Sequence, residues 1–450
     1  MLDFEAIVER IRERFGEDAA RQVLERVEAE ISRDAKLTRL GALLLVAGEL
    51  GYLGKAGDEQ ALLRLGNLVG GLRGITVTCR VIGFRGPLEA SGKKVAYMRV
   101  GDGSAKTDVV AWGEAADALG RAPLNFGDAV RLVNVRVTER AEGGVDLHLD
   151  ERSGIERVDA PWLPPAEELF SRSLGTVGRD VLDIEACVVG LGQSRSIVRS
   201  GKTTGARSAL VLMGRVPVLL SVREDHLTET PLEPWTVYRF TSLRMREGRL
   251  ITTVRSCASR SGGLDPKEAL GPVKAMGTAE RGYALATNGR FWMRLVGNVP
   301  KQGEVVTLRS ARFEERRRAW VLVVEDYERA DSEPEEPPDA PLESLEEGMR
   351  EISIRGRIIG KSAVSEVRTA IERVKTMVFW LTDGRRSVLC RAWREICDAI
   401  EGIPDGSDVR LIFVRVSRSR WGELEVHVDP ESEVEALQGG LASMSPKLSK

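Results

Sequence analysis

The feature that most constrains the fold of this chain is an internal repeat. The segment VVAWGEAADAL (109–119) resembles CRAWREICDAI (390–400), and Trp112 falls on Trp393 at an offset of 281 residues. Four further positions of this alignment carry identical residues. A tryptophan followed by a short pattern of acidic and apolar residues therefore occurs twice, which predicts two copies of one domain.

The repeat continues through the residues that follow. GDAVRLVNVRVTER (127–140) aligns with GSDVRLIFVRVSRS (406–419) at an offset of 279, and Arg136 then matches Arg415. The change of two residues between the offsets falls between a predicted helix and the next predicted strand. A loop at that place can absorb it, so the repeat covers a whole domain.

Within each copy, alternating apolar and polar residues predict β-strands. The first copy shows five strands with glycine-marked turns and a helix between the third and the fourth. A five-stranded Greek-key barrel in this order is the OB-fold. Two diverged segments, YRFTSLRM (238–245) and VTLRSARF (306–313), resemble the fourth strand of the first copy. We therefore expect a mainly β chain with a tandem array of four OB-fold barrels.

The N-terminal residues follow a different pattern. Apolar side chains recur at spacings of three and four over 2–31, with a break near Gly16, and a second apolar run covers 37–54. This periodicity predicts an N-terminal α-helical module. The expected divisions are a helical module (1–66), a first barrel (67–158), a diverged second barrel (173–262), a reduced third barrel (268–330), an acidic proline-rich linker (331–347), a fourth barrel (348–435) and a disordered tail (436–450).

Charge and cysteine content narrow the class of protein. The net charge is −2, but the stretch 331–347 carries eight acidic residues and no basic one, so the rest of the chain is mildly basic. This balance favours a polyanion as partner. Five cysteines without a C-x-x-C pair and three histidines predict no metal site and no cofactor, and sparse thiols fit a reducing cytoplasm. The charged N-terminus and the lack of a long apolar run predict no signal peptide and no membrane contact.

OB-folds bind oligonucleotides over strands two and three and the neighbouring loops. Single-strand binders combine aromatic rings, on which bases stack, with cations that neutralise phosphates. Trp112 and Trp393 end strand three of their copies, and the predicted loops interleave tryptophan with arginine. The predicted nucleic-acid-binding residues are Trp112, Trp393, Trp320, Trp421, Trp380, Arg85, Lys93, Lys94, Arg136, Arg140, Lys202, Arg207, Arg316, Arg317, Lys361, Arg368, Arg391, Arg418 and Arg420.

On LRGITVTCRVIGFRG, KVAYMRVGDGSAKTDVVAW, GDAVRLVNVRV and LTRLGALLLVAGELG, the chain resembles the archaeal replication protein A type of single-stranded DNA-binding protein. The resemblance is specific over 1–158, good over 348–435 and thin over 173–330. It implies that one aromatic ends strand three and a second, near strand five, completes a base sandwich. Trp112 and Trp393 match the first position, Trp320 matches the second, and Trp421 lies slightly earlier than it.

The chain departs from this pattern in the second barrel, where Val222 and Leu250 stand near the two aromatic positions. Two alternatives to single-stranded DNA binding stay open: an RNA-binding OB-fold protein and a protein-binding OB-fold scaffold. The sequence contains no recognisable catalytic set, so we expect no enzyme activity. The resemblance implies sequence-tolerant binding and protection of single-stranded DNA in replication, repair and recombination. It also implies a cytoplasmic, nucleoid-associated protein, with replication or repair proteins as possible partners of the helical module.

Overall fold

The computed structural model describes most of the chain. The described residues are 4–33, 39–50, 63–90, 92–141, 143–171, 181–199, 202–213, 216–227, 230–246, 249–278, 282–316, 319–335, 337, 339–347, 349–368, 372–419 and 421–437. Two predicted site residues, Arg317 and Arg420, lie outside the described residues, as does most of the predicted tail.

The N-terminal residues form three helices that pack on one another. Val8, Val23 and Leu43 are among the buried side chains at their contact. The break near Gly16 agrees with its φ of +91°, a left-handed conformation that favours glycine. The helices of the whole described chain are α1 (Phe4–Phe15), α2 (Glu17–Arg33), α3 (Arg39–Glu49), α4 (Glu114–Arg121), α5 (Pro266–Leu270) and α6 (Ile396–Glu401).

The first and fourth barrels have the same strand plan. In each, five strands form the barrel, and a final short strand extends the sheet beside strand four. The first barrel comprises β1 (Ile75–Ala90), β2 (Lys93–Gly101), β3 (Lys106–Trp112), β4 (Ala129–Glu139), β5 (Val145–Leu149) and the extra strand β6 (Gly154–Arg157).

The second and third barrels share one continuous sheet. The second comprises β7 (Val181–Leu191), β8 (Arg195–Arg199), β9 (Lys202–Met213), β10 (Val216–Arg223), β11 (Thr236–Arg246), β12 (Arg249–Ile251) and β13 (Cys257–Gly263). The third comprises β14 (Pro272–Thr278), β15 (Ala284–Thr287), β16 (Trp292–Gly297), β17 (Val305–Arg316) and β18 (Ala319–Arg329).

The fourth barrel follows the acidic stretch. It comprises β19 (Ile352–Lys361), β20 (Ser365–Arg368), β21 (Arg373–Thr382), β22 (Ser387–Trp393), β23 (Asp408–Arg418), β24 (Leu424–Val428) and β25 (Glu433–Ala436). The strands β8 of the second barrel and β20 of the fourth lie in the connection between strands one and two. Each forms a hairpin with strand two and is additional to the five barrel strands.

All four barrels close in the same way. Strand one pairs with strands two and four, and strand three pairs in parallel with strand five, as β3–β5, β10–β12, β16–β18 and β22–β24. This is the order of the OB-fold. The tandem array of four OB-folds behind a helical module is therefore confirmed. A turn replaces the helix between β16 and β17 of the third barrel.

The barrels pack head to tail, and the following barrel covers the outer face of the preceding one. We call the outer side of strands two, three and five of a barrel its outer face. Strand four of the following barrel takes part in all three contacts, through Ser242, Phe313 and Phe413. Consequently, an outer face can bind a ligand only where the following barrel leaves it exposed.

Between the first two barrels the covered outer face is charged. The Arg99 guanidinium donates to Asp183 of the second barrel at 3.0 Å and to Asp108 at 3.1 Å. The Arg255 guanidinium of the second barrel donates to Asp146 at 2.8 Å and to Asp108 at 3.1 Å. Arg99, Asp108 and Asp183 are almost completely buried, so this cluster holds the two barrels together with ions that water does not reach.

Removing one member of this cluster leaves an uncompensated buried charge. Asp183→Ala should therefore lower the free energy of unfolding by about 3–5 kcal/mol. Urea denaturation of the full chain, followed by circular dichroism, measures this change. The double variant Arg99→Met with Asp183→Leu, which removes both charges, should lose much less. A cost for Asp183→Ala below about 1 kcal/mol, typical of exposed ion pairs, would contradict a buried network.

Candidate nucleic-acid interface

The outer face of the second barrel is apolar and covered. Leu210 and Leu212 of β9 belong to one buried cluster with Phe313 and Trp320 of the third barrel. The Trp235 indole of the second barrel donates to the Ala311 carbonyl of the third at 3.2 Å. Gly190 allows this close approach, because a Cβ there would lie 2.6 Å from the Trp320 ring. This face is therefore occupied by protein.

The outer face of the third barrel is covered by the fourth. Trp292 of β16 packs in a buried cluster with Ile412 and Phe413 of β23. The Arg294 guanidinium lies 3.5 Å from the centre of the Phe413 ring and donates to Glu351 at 2.8 Å. Both Trp292 and Arg294 are almost completely buried. Hence neither middle barrel presents its outer face to a ligand.

The fourth barrel is last in the series, and within the described chain its outer face stays open. Trp380 of β21 is 45 % exposed because the strand alternates, with Met377, Phe379 and Leu381 pointing into the core. Arg391 and Trp393 of β22 lie on the same side as Trp380, across the strand pair. The open face therefore carries two indoles with a guanidinium between them.

Trp393 and His427 form one flat surface. The indole N–H of Trp393 donates to Nδ1 of His427 at 3.1 Å, and the two ring planes are 8° apart. Because an indole N–H bond lies in the plane of its ring, the two rings lie side by side in nearly one plane. This hydrogen bond fixes the orientation of the indole, which a stacking platform requires.

The hydrogen bonds of His427 determine its tautomer. Since Nδ1 accepts from Trp393, the proton is on Nε2, which donates to the Ser417 hydroxyl at 2.8 Å. Burial, and then the charge of Arg415, lower the pKa of His427 to about 4. The imidazole is therefore neutral near neutral pH and keeps Nδ1 available as an acceptor.

Arg391 is held beside the platform. Its guanidinium is paired with Glu425 and lies 5.8 Å from the centre of the Trp393 ring. Trp421, on the turn between β23 and β24, is 76 % exposed. Thus the exposed Trp380 and the half-buried Trp393 lie on the open face, and the exposed Trp421 lies on the adjoining loop.

The first barrel keeps only one end of its outer face open. Trp112 is 39 % exposed, and Arg136 on β4 is also exposed. The remainder of the face carries Arg99 and Asp108, which the second barrel covers. The first barrel therefore offers one indole and one guanidinium, a smaller surface than that of the fourth.

Two predicted site residues are buried, which contradicts a role in contacting a ligand. Trp320 is 6 % exposed because it shares the inward phase of β18 with Leu322 and Val324. Arg85 is 4 % exposed, and its guanidinium donates to the backbone carbonyls of Val254 and Asp225 in the second barrel. Both residues join neighbouring barrels, and the predictions for them are wrong.

Two further predicted cations are engaged by the protein. Arg140 is mostly buried and lies 3.5 Å from Asp146 and 3.8 Å from Asp108. The Lys361 ammonium donates to the carbonyls of Ile400 and Glu401 at the end of α6. These contacts give Arg140 a place in the charged interface and Lys361 a role in capping a helix, and they contradict the predicted contact with a ligand.

Six of the remaining predicted cations have described side chains on the surface. Lys93 and Arg368 are exposed, and Lys202 begins β9 with a side chain outside the described set. Four others are exposed or half-buried and paired with a carboxylate: Lys94 with Asp117, Arg207 with Glu224, Arg316 with Glu314 and Arg418 with Glu347. Exposed pairs of this kind are weak, so a phosphate can replace the carboxylate.

Sequence reasoning missed two residues that support the open face. His427 orients Trp393, and Arg415 lies opposite His427 in the strand pair and forms an ion pair with Asp429. The repeat contained a signal for both, because His148 and Arg136 stand at the matching positions of the first barrel. In the first barrel, Nδ1 of His148 is buried without a partner among the described residues, so its tryptophan is not fixed in the same way.

Among the residues that the structure describes, no group of three His, Cys, Asp or Glu side chains could hold a metal ion. Over the same ranges, no helix is both long and apolar enough to cross a membrane.

The depressed pKa of His427 gives a testable pH dependence. In the unfolded chain the imidazole titrates near 6.5, whereas in the folded protein it titrates near 4. Between these values the unfolded state binds more protons, so the free energy of unfolding should fall as the pH is lowered from about 6.5 to about 4. NMR titration of the imidazole resonances, assigned with His427→Gln, measures the folded value. A midpoint near 6.5 would contradict the described geometry.

Comparisons with known proteins find similarity of structure only. No protein-family model matches the sequence, and no curated protein matches it. A replication protein A heterotrimer bound to single-stranded DNA is 11 % identical, with 81 % of this chain and 94 % of that chain covered and a TM-score of 0.30. The replication factor A related protein from Methanobacterium thermoautotrophicum is 24 % identical, with 23 % and 96 % covered and a TM-score of 0.20. A murine DNA-binding protein bound to double-stranded DNA is 10 % identical, with 43 % and 98 % covered and a TM-score of 0.29. Identities and TM-scores this low assign no function to the chain.

Proposed function

We propose that this protein binds single-stranded DNA with little sequence preference and protects it during replication, repair and recombination. The observation that carries this proposal is the open outer face of the fourth barrel, where Trp380 and Trp393 flank Arg391. Such a face supplies flat rings for bases and a cation for the backbone, which is the combination that single-strand binding requires.

Double-stranded nucleic acid fits this face less well. In a duplex the bases are stacked on one another, and their flat sides are not available to an indole. Single strands expose these sides, and stacking on an aromatic ring tolerates any base. The single strand is therefore the form of nucleic acid that the exposed indoles can bind most directly.

The proposed activity is binding and not catalysis, and the proposed location is the cytoplasm, at the nucleoid. The outer faces of the middle barrels do not bind bases, because they are filled by Trp320 and by Phe413. The bases stack at the two ends of the array, mainly on the fourth barrel and with a smaller contribution from Trp112 of the first.

Replacing the oriented platform tests the proposal. Trp393→Ala should weaken binding of an oligo-dT by about 1–3 kcal/mol, which is roughly a 5- to 150-fold increase in Kd, because one stacked base is lost. Fluorescence anisotropy of a labelled oligonucleotide measures the change. Trp162→Ala is the matched control, since Trp162 is exposed but lies in the linker between the first two barrels; it should have no effect.

The outcome of the same titration separates the alternatives. Equal losses for Trp393→Ala and Trp162→Ala, or no binding by the wild type, would contradict the proposal and favour a protein-binding scaffold. An RNA oligonucleotide of the same sequence is the second ligand. Tighter binding of RNA than of DNA would identify the protein as an RNA binder.

The ionic contribution gives an independent prediction. Because binding releases counterions from the phosphates, log K should fall linearly with log[salt], with a slope of about −0.7 for each phosphate neutralised on a single strand. Titrations at several salt concentrations measure this slope. A slope near zero would exclude phosphate neutralisation and leave stacking alone.

A further inference from the structure

A cleft of about 580 Å³ opens where the second, third and fourth barrels meet. Its wall includes Arg195 and Arg249 of the second barrel and Arg350 and Arg415 of the fourth. Trp393, the oriented platform of the open face, also lines it. The cleft is therefore continuous with the site already described and large enough for a nucleotide-sized group.

Arg350, just before β19, is half-buried and has one buried donor without a partner. Its Nε atom is buried and has no hydrogen-bond partner, and its side chain pairs with no carboxylate in the described part of the chain. A buried donor without a partner costs about 1–3 kcal/mol, and more when it is charged. The unpaired Nε is therefore a donor that a ligand in the cleft could satisfy.

The charges around Arg350 make the cleft more favourable for an anion. Burial, and then the charges of Arg249 and Arg415, lower the pKa of the Arg350 guanidinium, although Asp429 and Glu351 act in the opposite direction. Those two carboxylates are already paired, Asp429 with Arg415 and Glu351 with Arg294. Like charges thus converge without enough counter-charge, and an incoming anion would relieve their repulsion.

Of the other carboxylates that line the cleft, Glu315 is engaged in the same manner, whereas Glu431 pairs with no cation in the described part of the chain. Glu315 lies 3.5 Å from the Arg195 guanidinium, and the Arg394 guanidinium is paired with Glu372. Arg249, which begins β12, is exposed and has no ion pair within the described residues. Among the charged groups that line the cleft, Arg249, Arg350 and Glu431 are therefore without an ion pair in the described chain, which leaves one positive charge unbalanced.

We propose that this cleft binds backbone phosphates of the same single strand whose bases stack on Trp393, with Arg350, Arg249 and Arg415 as the phosphate-binding residues. This inference rests on the function proposed above and adds the path that the DNA strand takes across the protein. The strand runs from the open face of the fourth barrel into the junction with the second barrel. A barrel without aromatic platforms then contributes to binding through its cations.

A strand is favoured over a free anion as the occupant for a geometric reason. The cleft exceeds the space that one phosphate needs, and its wall includes the indole that the proposed function assigns to a base. Several guanidinium groups in one wall suit several phosphates, because each can donate two hydrogen bonds to one phosphate.

The experiment compares Arg350→Met and Arg249→Met with Arg260→Met, an exposed arginine of the second barrel outside the cleft. The ligand is a fluorescent oligo-dT, and affinity is measured at several salt concentrations. Each cleft variant should bind at least fivefold more weakly, and its log K against log[salt] slope should be shallower by about 0.7, the value for one phosphate contact. Arg260→Met should match the wild type.

Melting of the unliganded protein distinguishes binding from structure. Because Arg350 is repelled by its neighbours, Arg350→Met should keep or raise the Tm. A lower Tm together with an unchanged salt slope would assign Arg350 a structural role and overturn the inference. Inorganic phosphate tests whether a free anion occupies the cleft instead. The inference is wrong if phosphate raises the Tm of the wild type but not of Arg350→Met, and both proteins bind the oligonucleotide with the same affinity. The cleft would then bind free anions.

Failure of this inference is distinguishable from failure of the proposed function. If Trp393→Ala weakens binding and the cleft variants behave as the wild type does, the strand is bound on the open face but does not enter the cleft. If the wild type binds no oligonucleotide, the proposed function fails first.

Discussion

Burial of one barrel's outer face by the next barrel is the constraint on which the rest of this structure depends. Three of the four OB-folds give up all or part of the surface on which an OB-fold normally binds its ligand. The covered surfaces differ in chemistry: ions around Arg99 in the first barrel, leucines in the second, and Trp292 with Arg294 in the third. The fourth barrel has the open face, because no further barrel follows it within the described chain.

The repeat shows how one scaffold serves both purposes. At matching positions of the outer face, the first barrel has Arg99 and Asp108 where the fourth has Trp380 and Leu389. The first pair is buried against the second barrel, where ions require exact partners, and the second pair faces outward. At the end of strand three, both barrels keep a tryptophan. The two copies thus differ in sequence where one outer face contacts a barrel and the other is exposed.

Much of the architecture was predictable because it depends on local patterns. Alternation along the strands, glycine turns and the repeat itself were sufficient for four barrels, and the outward phase of Trp380 could be predicted from its apolar neighbours. The same alternation, applied to β18, would have placed Trp320 in the core with Leu322 and Val324. Arg85 was beyond such reasoning, because its acceptors Val254 and Asp225 are distant in sequence. His427 and Arg350 likewise act through contacts that only the folded chain brings together.

Fluorine NMR of the protein labelled with 5-fluorotryptophan tests the central claim most directly, since it reports on every indole in one titration. Resonances are assigned with single Trp→Phe variants, and oligo-dT is then added. We expect Trp393 and Trp380 to shift most, Trp112 to shift less, and Trp292 not to move. A shift at Trp292 with none at Trp393 and Trp380 would contradict this expectation, because the strand would then lie on a face assigned here to a contact between barrels.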